Sequence, residues 1–271
     1  IKVLMEVPTY PYDSEGKNWD MIPLKIKDKK WRKRLYQYVD RIVTYSDDSR
    51  IFNIPTICIP NAIDYYTCKR HCVMRNTPSV VNIVACASLY YWHGYDRAIE
   101  GLYHYVNSNV SNVQRVHLFI VGDGTEYEKY KRKIIDYKLE SYVTLTGACY
   151  GHELDEIYDK CVIGLDSMGR HRSRVYYNSS LKGKEYCAKG LIIVSGVKTE
   201  LDFVSDYQYY YRVPADDTPL DFNSIIQFYN ELLRNESIEK IQYNIMEYSK
   251  NHYDFQVALK PVQEYLRERD R

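Results

Sequence analysis

The stretch SSLKGKEYCAKGLIIVSG, residues 179–196, decides the fold. Ser180 is a residue type that caps helix N-termini, and Gly190 suits the position just past a helix end. Between them lies a helical segment, and LIIV after it is an unbroken apolar run of the kind that forms a strand buried on both faces. The same rhythm recurs to either side. VVNIVACAS (80–88), VHLFIVG (116–122), YVTLTG (142–147), VIGLDS (162–167) and YYYRVP (209–214) read as strands, separated by helical patterns over 95–109, 125–139 and 153–161. A helix over about 221–234 and a helical tail over 236–268 complete the chain.

Strands rich in Val, Ile and Leu that alternate with helices specify a parallel, doubly wound α/β sheet. Residues 62–250 are therefore expected to form one complete Rossmann-like domain. Upstream, KVLMEV (2–7), a helix over 25–39, RIVTYS (41–46) and TICIP (56–60) give a shorter β-α-β series. Residues 1–61 are thus expected to be the remnant of a second Rossmann-like domain, and 251–271 a closing helix that packs back on it. The chain opens directly on a strand pattern without an initiator Met, so it is expected to begin in mid-domain.

Composition excludes several classes. The 271 residues carry 37 basic and 36 acidic side chains, a net charge of +1, which argues against a dedicated nucleic-acid binder. Seven cysteines are scattered without a C-x-x-C pair, the pattern of a reducing compartment with mostly buried thiols, and the expected location is cytoplasmic. Cys68, His71 and Cys72 sit close together, yet no second ligand pair follows, so no metal site is expected. No apolar run approaches the roughly 20 residues of a membrane span. Tyrosine is over-used, at 30 residues, which reads as compositional bias.

In open α/β sheets ligands bind outside the carboxyl ends of the strands, and four motifs fall there. VGDGTEYEKY (121–130) places Gly122 and Gly124 in a strand-to-helix turn. The turn reads either as an anion site at a helix N-terminus or as a plain turn. The third glycine of the dinucleotide fingerprint is absent, which rejects NAD. SLYYWHGYDR (88–97) clusters Ser88, His93, Gly94 and Arg97 at one strand end, with cationic side chains expected to point into the cleft. SMGRHRS (167–173) supplies Arg170, His171 and Arg172, a set suited to a diphosphate because Arg offers a planar donor fork.

The fourth motif is the opening stretch. The amides of residues 181–183, Leu181 included, point out of the helix N-terminus, and Lys182 and Glu185 share a face three residues apart. A lysine at that end opposes the helix dipole unless an anion sits there. Phosphate on the amides and Lys182, with a ribose diol on Glu185, reconciles the pattern. A separate run, KIKDKKWRKR (25–34), carries seven positive charges and one negative. It reads either as a solvated helix face or as a peripheral contact with an anionic membrane at its inner face, with Trp31 at the interface.

Set in order, MEVPTYPYD, IPNAID, WHGYDRAIEGL, VGDG, VTLTG and SMGRHR…SSLKGKEYCAKGLIIV resemble family-4 glycosyltransferases of the GT-B fold, the group found in bacterial capsule and exopolysaccharide clusters. The resemblance covers nearly the whole chain. It implies two Rossmann-like domains facing across a cleft and retaining transfer of a hexosyl unit. The donor would be a nucleotide diphosphate sugar and the acceptor a saccharide or lipid-linked molecule, with no metal or other cofactor required. Glu185 then matches the later carboxylate of the E-x7-E element and contacts the ribose. Lys182, with the amides near Ser180 and Leu181, meets the diphosphate, and Gly147 and the turn after it hold the base. Arg172, Lys182 and His93 are the expected catalytic residues, with His93 and Ser88 standing where many relatives carry Lys and Arg.

The sequence departs from the pattern at Tyr177, which replaces the earlier carboxylate of E-x7-E, at Ala62 for Gly, and at Ile192 for Pro. About the first 100 residues of a two-domain member are expected to be missing, given roughly 100–200 residues per domain. A truncated, non-catalytic nucleotide-sugar-binding module is therefore an alternative reading. A GT-B-fold nucleotide-sugar epimerase is a weaker one, because Tyr177 leaves the sugar without a carboxylate.

Overall fold

The first strand, β1 (Leu4–Val7), lies parallel to β2 (Arg41–Thr44), and β2 lies parallel to β4 (Ile54–Cys58). These coordinates come from a computed structural model, which describes residues 1–13, 22–70, 72–108 and 114–268. A two-residue strand absent from the sequence reading, β3 (Arg50–Ile51), pairs antiparallel with β4. The turn between them runs through Phe52 and Asn53, at φ 51° and 67°, the left-handed conformation that tight hairpins need. Among the described residues, Val7, Ile42, Ile51 and Ile54 form the buried apolar cluster of this sheet.

The basic segment differs from its expected single helix. It divides into α1 (Ile22–Trp31) and a 3-10 segment (Arg32–Gln37), and neither buries a residue. With lysines spread around the helix, no apolar stripe remains to seat it on the sheet.

After the short α2 (Tyr65–Cys68), the chain builds a six-stranded sheet: β5 (Val81–Cys86), β6 (Val116–Val121), β7 (Val143–Gly147), β8 (Ile163–Leu165), β9 (Ile192–Ser195) and β10 (Tyr210–Arg212). All are parallel, in the order β10-β9-β8-β5-β6-β7. Every residue of β8 and β9 is buried, as the apolar run LIIV requires of a strand covered on both faces. The covering helices are α3 (Tyr95–Val106), α4 (Tyr127–Asp136), α5 (Gly151–Lys160), α6 (Leu181–Ala188), α7 (Phe222–Asn235) and α8 (Ile238–Tyr253). Helix α7 shows why such segments fold. Asp221 accepts from the Asn223 and Ser224 amides at its start, and Phe222, Ile225, Ile226, Tyr229 and Leu232 bury one face.

The strand order reverses between β5 and β8. From β5 the chain moves outward to β6 and β7, then returns to β8 and proceeds the other way. The loops that leave β5 and β8 therefore diverge and open a crevice at their carboxyl ends. Tyr186 pins the two strands beneath that crevice: its hydroxyl accepts from the Cys86 amide (2.9 Å) and donates to the Leu165 carbonyl (3.2 Å). Five of the tyrosines, Tyr95, Tyr130, Tyr186, Tyr229 and Tyr253, are among the largest fully buried side chains, so part of the tyrosine excess is core.

The chain finally crosses back through α9 (Phe255–Ala258) and α10 (Lys260–Arg267). The Ile63 amide donates to the Tyr253 carbonyl (2.9 Å) and the Phe255 amide to the Ile63 carbonyl (3.0 Å). Lys2 Nζ donates to the Tyr265 carbonyl (2.6 Å), and the Arg41 guanidinium lies 5.1 Å from the Tyr265 ring centre. All seven cysteines are free; Cys149, Cys161 and Cys187 are buried, whereas Cys58 and Cys72 are exposed. The expectation of mostly buried thiols is thus corrected to fewer than half. His71 lies outside the described residues, and among those described no cluster of metal-ligating side chains occurs.

Candidate nucleotide-diphosphate site

The crevice between the β5 and β8 loops is closed at its base by backbone packing. Gly94 sits at φ 66°, and a Cβ there would fall 2.5 Å from the Gly169 nitrogen, so the two loops touch only because this residue is glycine. The Met168 amide donates to the His93 carbonyl (2.8 Å) across the same contact. His93 is 8% exposed, and burial, followed by the charges of Lys182 and Arg170, pushes its imidazole down to about 2. The shift favours the neutral ring at ordinary pH. Ser88 is exposed at the rim, its carbonyl accepting from the Tyr90 amide (2.9 Å).

Helix α6 enters the crevice from the β8 side. The Ser180 Oγ accepts from the Gly183 amide (3.1 Å) and donates to Asp166 Oδ1 (2.7 Å), which locks the cap in place. Lys182, with its side chain 17% exposed, donates to Ser167 Oγ (2.8 Å) and lies 3.4 Å from Asp166 Oδ1. Burial lowers its ammonium from the usual lysine range, and Asp166 works against that fall. Glu185, three residues on, is half-buried, and burial raises its carboxyl while Lys182 opposes the rise. Among the described residues the Glu185 carboxylate has no hydrogen-bond or ion-pair partner; its main-chain carbonyl accepts the Lys189 amide (2.9 Å). A half-buried carboxylate without donors, one helical turn from a sheltered ammonium and a capped helix start, is an acceptor set open to a ligand.

Asp166 was missed at the sequence level. It is completely buried and closes strand β8, and a lone acidic residue ending the apolar run VIGL was the available signal.

Two arginines do not do what the sequence suggested. Arg172 lies 2.9 Å from both Asp96 oxygens, 2.7 Å from Asp217 Oδ1 through Nε, and 2.9 Å from the Tyr91 carbonyl. Burial disfavours its charge, but the two aspartates outweigh that and raise its pKa. Its donor fork is occupied by protein, which corrects its expected place on a departing diphosphate: it clamps the 3-10 turn Arg170–Ser173 to the start of α3. His171 leans on the same Asp217 (3.1 Å). Arg97, 2% exposed, donates to the carbonyls of Thr218 (2.6 Å), Met168 and Pro214 (3.1 Å). It is a post between loops and does not point into the cleft.

The GDG turn is corrected as well. A Cβ on Gly122 (φ 134°) would lie 1.8 Å from the Ala87 carbonyl oxygen, and one on Gly124 would lie 2.6 Å from that of Leu89. The Gly122 amide donates to the Gly147 carbonyl (2.7 Å), and the Leu89 carbonyl accepts the Glu126 amide (3.0 Å) just before α4. These glycines bring two turns into contact, and the helix start behind them is already met by a carbonyl. Gly147 differs: nothing lies within 4 Å of its would-be Cβ, so the turn after β7 borders open space.

Neither a protein-family model nor a curated protein sequence matches the chain. Solved structures do. A glycosyltransferase from Rickettsia africae ESF-5 aligns over 97% of this chain and 69% of its own, at 12% identity and a TM-score of 0.67. Anabaena Alr3699/HepE, solved in complex with UDP-glucose, aligns over 98% and 72%, at 13% identity and a TM-score of 0.67. Sucrose-phosphate synthase from Thermosynechococcus elongatus aligns over 97% and 67%, at 15% identity and a TM-score of 0.66. The chain has the GT-B fold. Within that GT-B frame, the six-stranded sheet is the Rossmann-like unit that carries His93, Lys182 and Glu185, and β1, β2 and β4 lie in a separate sheet.

Proposed function

We propose that the chain binds a nucleotide diphosphate sugar between the β5 loop and α6 and acts as a glycosyltransferase. The reading extends to transfer of a hexosyl unit, with retention, to a saccharide or lipid-linked acceptor in bacterial polysaccharide assembly, as in family 4 and its capsule group. The observation that carries it is Glu185, a half-buried carboxylate with no donor among the described residues, beside the sheltered Lys182 ammonium. A ribose diol supplies two donors to Glu185, while the Lys182 ammonium and the α6 amides meet the diphosphate. Charge that grows on the departing diphosphate is stabilised there by groups already in position, an effect worth about 3–4 kcal/mol per key donor. The open space beside Gly147 suits a base held through main-chain atoms. No metal is required by this reading, because a cation and helix amides take its place.

The exposed Leu24, Ile26 and Trp31 among the lysines of α1 support peripheral contact with an anionic membrane. No helix among the described residues is long and apolar enough to cross one.

The test is calorimetry and thermal shift with UDP, GDP, ADP and their sugars. A ligand that binds only the native state raises its stability by about 2.7 kcal/mol at a hundred times Kd. Lys182→Ala and Glu185→Ala are each expected to weaken binding without loss of fold. Unchanged affinity in both variants removes the site assignment.

A second reading, a binding module that holds the donor and transfers nothing, is favoured by Tyr177. That side chain lies 6.3 Å from the Phe203 ring, and the segment that bears it is bridged to Lys198, where the resemblance places a carboxylate. Release of sugar or transfer from the donor by the purified chain excludes it.

A further inference from the structure

The cation of the proposed site is an unusual one. It comes from the first turn of α6, where a lysine opposes the helix dipole. Arg170 stands near it as a second positive charge that disfavours the ammonium, and the other side chains expected to share its work are neutral or engaged elsewhere. His93 is uncharged, and Arg172 and Arg97 hold loops together. Lys182 must therefore remain an ammonium, in the right place, in a crevice that disfavours charge. One side chain meets both needs. Asp166, at the end of β8, receives the Ser180 hydroxyl at 2.7 Å and stands 3.4 Å from Lys182 Nζ, both on Oδ1. The same oxygen thus ties the cap of α6 to the ammonium two residues later. Ser195 Oγ lies 3.3 Å from the other oxygen, and the Oγ of Ser167, next along the chain, accepts a hydrogen bond from the Lys182 ammonium at 2.8 Å.

We infer that Asp166 is the positioning residue of the site: it fixes the start of α6 and the Lys182 ammonium as one unit, so that amides and cation face the same phosphate group. The inference rests on the nucleotide-diphosphate reading and assigns Asp166 no contact with the ligand. Its chemistry is electrostatic. A buried ammonium falls in pKa unless a carboxylate faces it. The groups that face Lys182 are Asp166 from β8, Arg170 from the 3-10 turn, His93 from the β5 loop, Cys86 from the end of β5 and Glu185 on its own helix. Asp166 and Glu185 favour the charge, Arg170 opposes it, and only Asp166 also holds the helix cap.

Two measurements test this. In the first, selectively labelled lysine is followed by NMR across pH in the ligand-free chain. Asp166→Asn is expected to move the Lys182 midpoint at least one pH unit lower, about a tenfold loss of charged form on the alkaline side. Asp166→Glu is expected to return most of that shift. In the second, UDP affinity is measured from pH 6 to 10. The alkaline fall of affinity is expected to move with the same midpoint in Asp166→Asn, whereas a purely structural loss would weaken binding equally at every pH. An unmoved midpoint overturns the inference. Should Asp166→Asn fail to fold, the wild-type spectrum decides: a neutral Lys182 amine at pH 7 overturns it, and an ammonium protected from solvent exchange supports it. Absence of binding by UDP, GDP and ADP in the wild-type chain overturns the reading of the site, a result distinct from an unmoved midpoint.

Discussion

The two sheets are built on one plan of parallel strands, yet they hold themselves together differently. Among the described residues the N-terminal sheet has a buried apolar cluster of four side chains, Val7, Ile42, Ile51 and Ile54, with Val43 buried beside it. The six-stranded sheet is packed on both faces and draws its core from residues between Ile63 and Tyr253. A four-residue cluster is far too little to offset the entropy of ordering a separate unit. The smaller sheet is secured from outside, by the crossing of α9 and α10, by Lys2 and Arg41 on Tyr265, and by the backbone bonds of Ile63. A half with its own core carries buried or sheltered ionisable groups at Asp166, Lys182 and His93, whereas the buried polar side chains described in the smaller half are the hydroxyls of Thr44 and Ser46.

Breaking the core of each half tests this most directly. Tyr186→Ala removes a fully buried ring and both of its hydroxyl bonds beneath the crevice, a loss of about 3–5 kcal/mol. The expected outcome is a single large drop in Tm for the whole chain. Ile42→Ala is expected instead to expose residues 1–60 to protease while the six-stranded half stays folded. Simultaneous melting of both halves in Ile42→Ala would show that the smaller sheet is not an appendage.

Next in size is Lys182→Ala, expected to cost about 2 kcal/mol of nucleotide-diphosphate affinity, near the range for hydrogen bonds to charged groups. Calorimetry at neutral pH measures it. A smaller effect per pH unit comes from His93. Burial pushes its ring down to about 2 in the folded chain, against an ordinary 6.5, so across that window the unfolded chain holds the extra proton. Stability then rises with pH up to about 6.5 and is lost on acidification, by at most about 1.4 kcal/mol per unit. Denaturant unfolding from pH 4 to 7 should show this slope, and His93→Phe should flatten it. The smallest effect is Tyr265→Ala, expected to loosen the N-terminal sheet by about 0.5–1 kcal/mol through loss of the contact with Arg41. Hydrogen exchange confined to β1 and β2 would register it.

Much of the large sheet was legible because a strand buried on both faces has to be an apolar run, and LIIV or VHLFIV has no other reading in this context. The cap at Ser180 and the stop at Gly190 were legible for the same local reason. The β3 hairpin was not, because its turn requires Phe52 at positive φ, which no propensity favours. Within the candidate site, Lys182 and Glu185 could be proposed from one helical turn. Arg97 and Arg172 could not be placed, since their partners Asp216, Asp217 and Asp96 are set by the fold and not by neighbouring residues. An arginine at a strand end looks the same in a sequence whether it meets a phosphate or an aspartate.

One small contact has a mechanical side. The Ser179 amide donates to the Tyr45 carbonyl (3.2 Å), and the Ser179 hydroxyl accepts from the Asn61 amide (3.0 Å). Both partners belong to the N-terminal sheet or its exit, and Ser179 immediately precedes the cap of α6. A swing of one sheet against the other must either snap these two bonds or drag Ser179 along. Any such swing is thus coupled to the mouth of the helix like a lever to its latch, with a single serine as the pin.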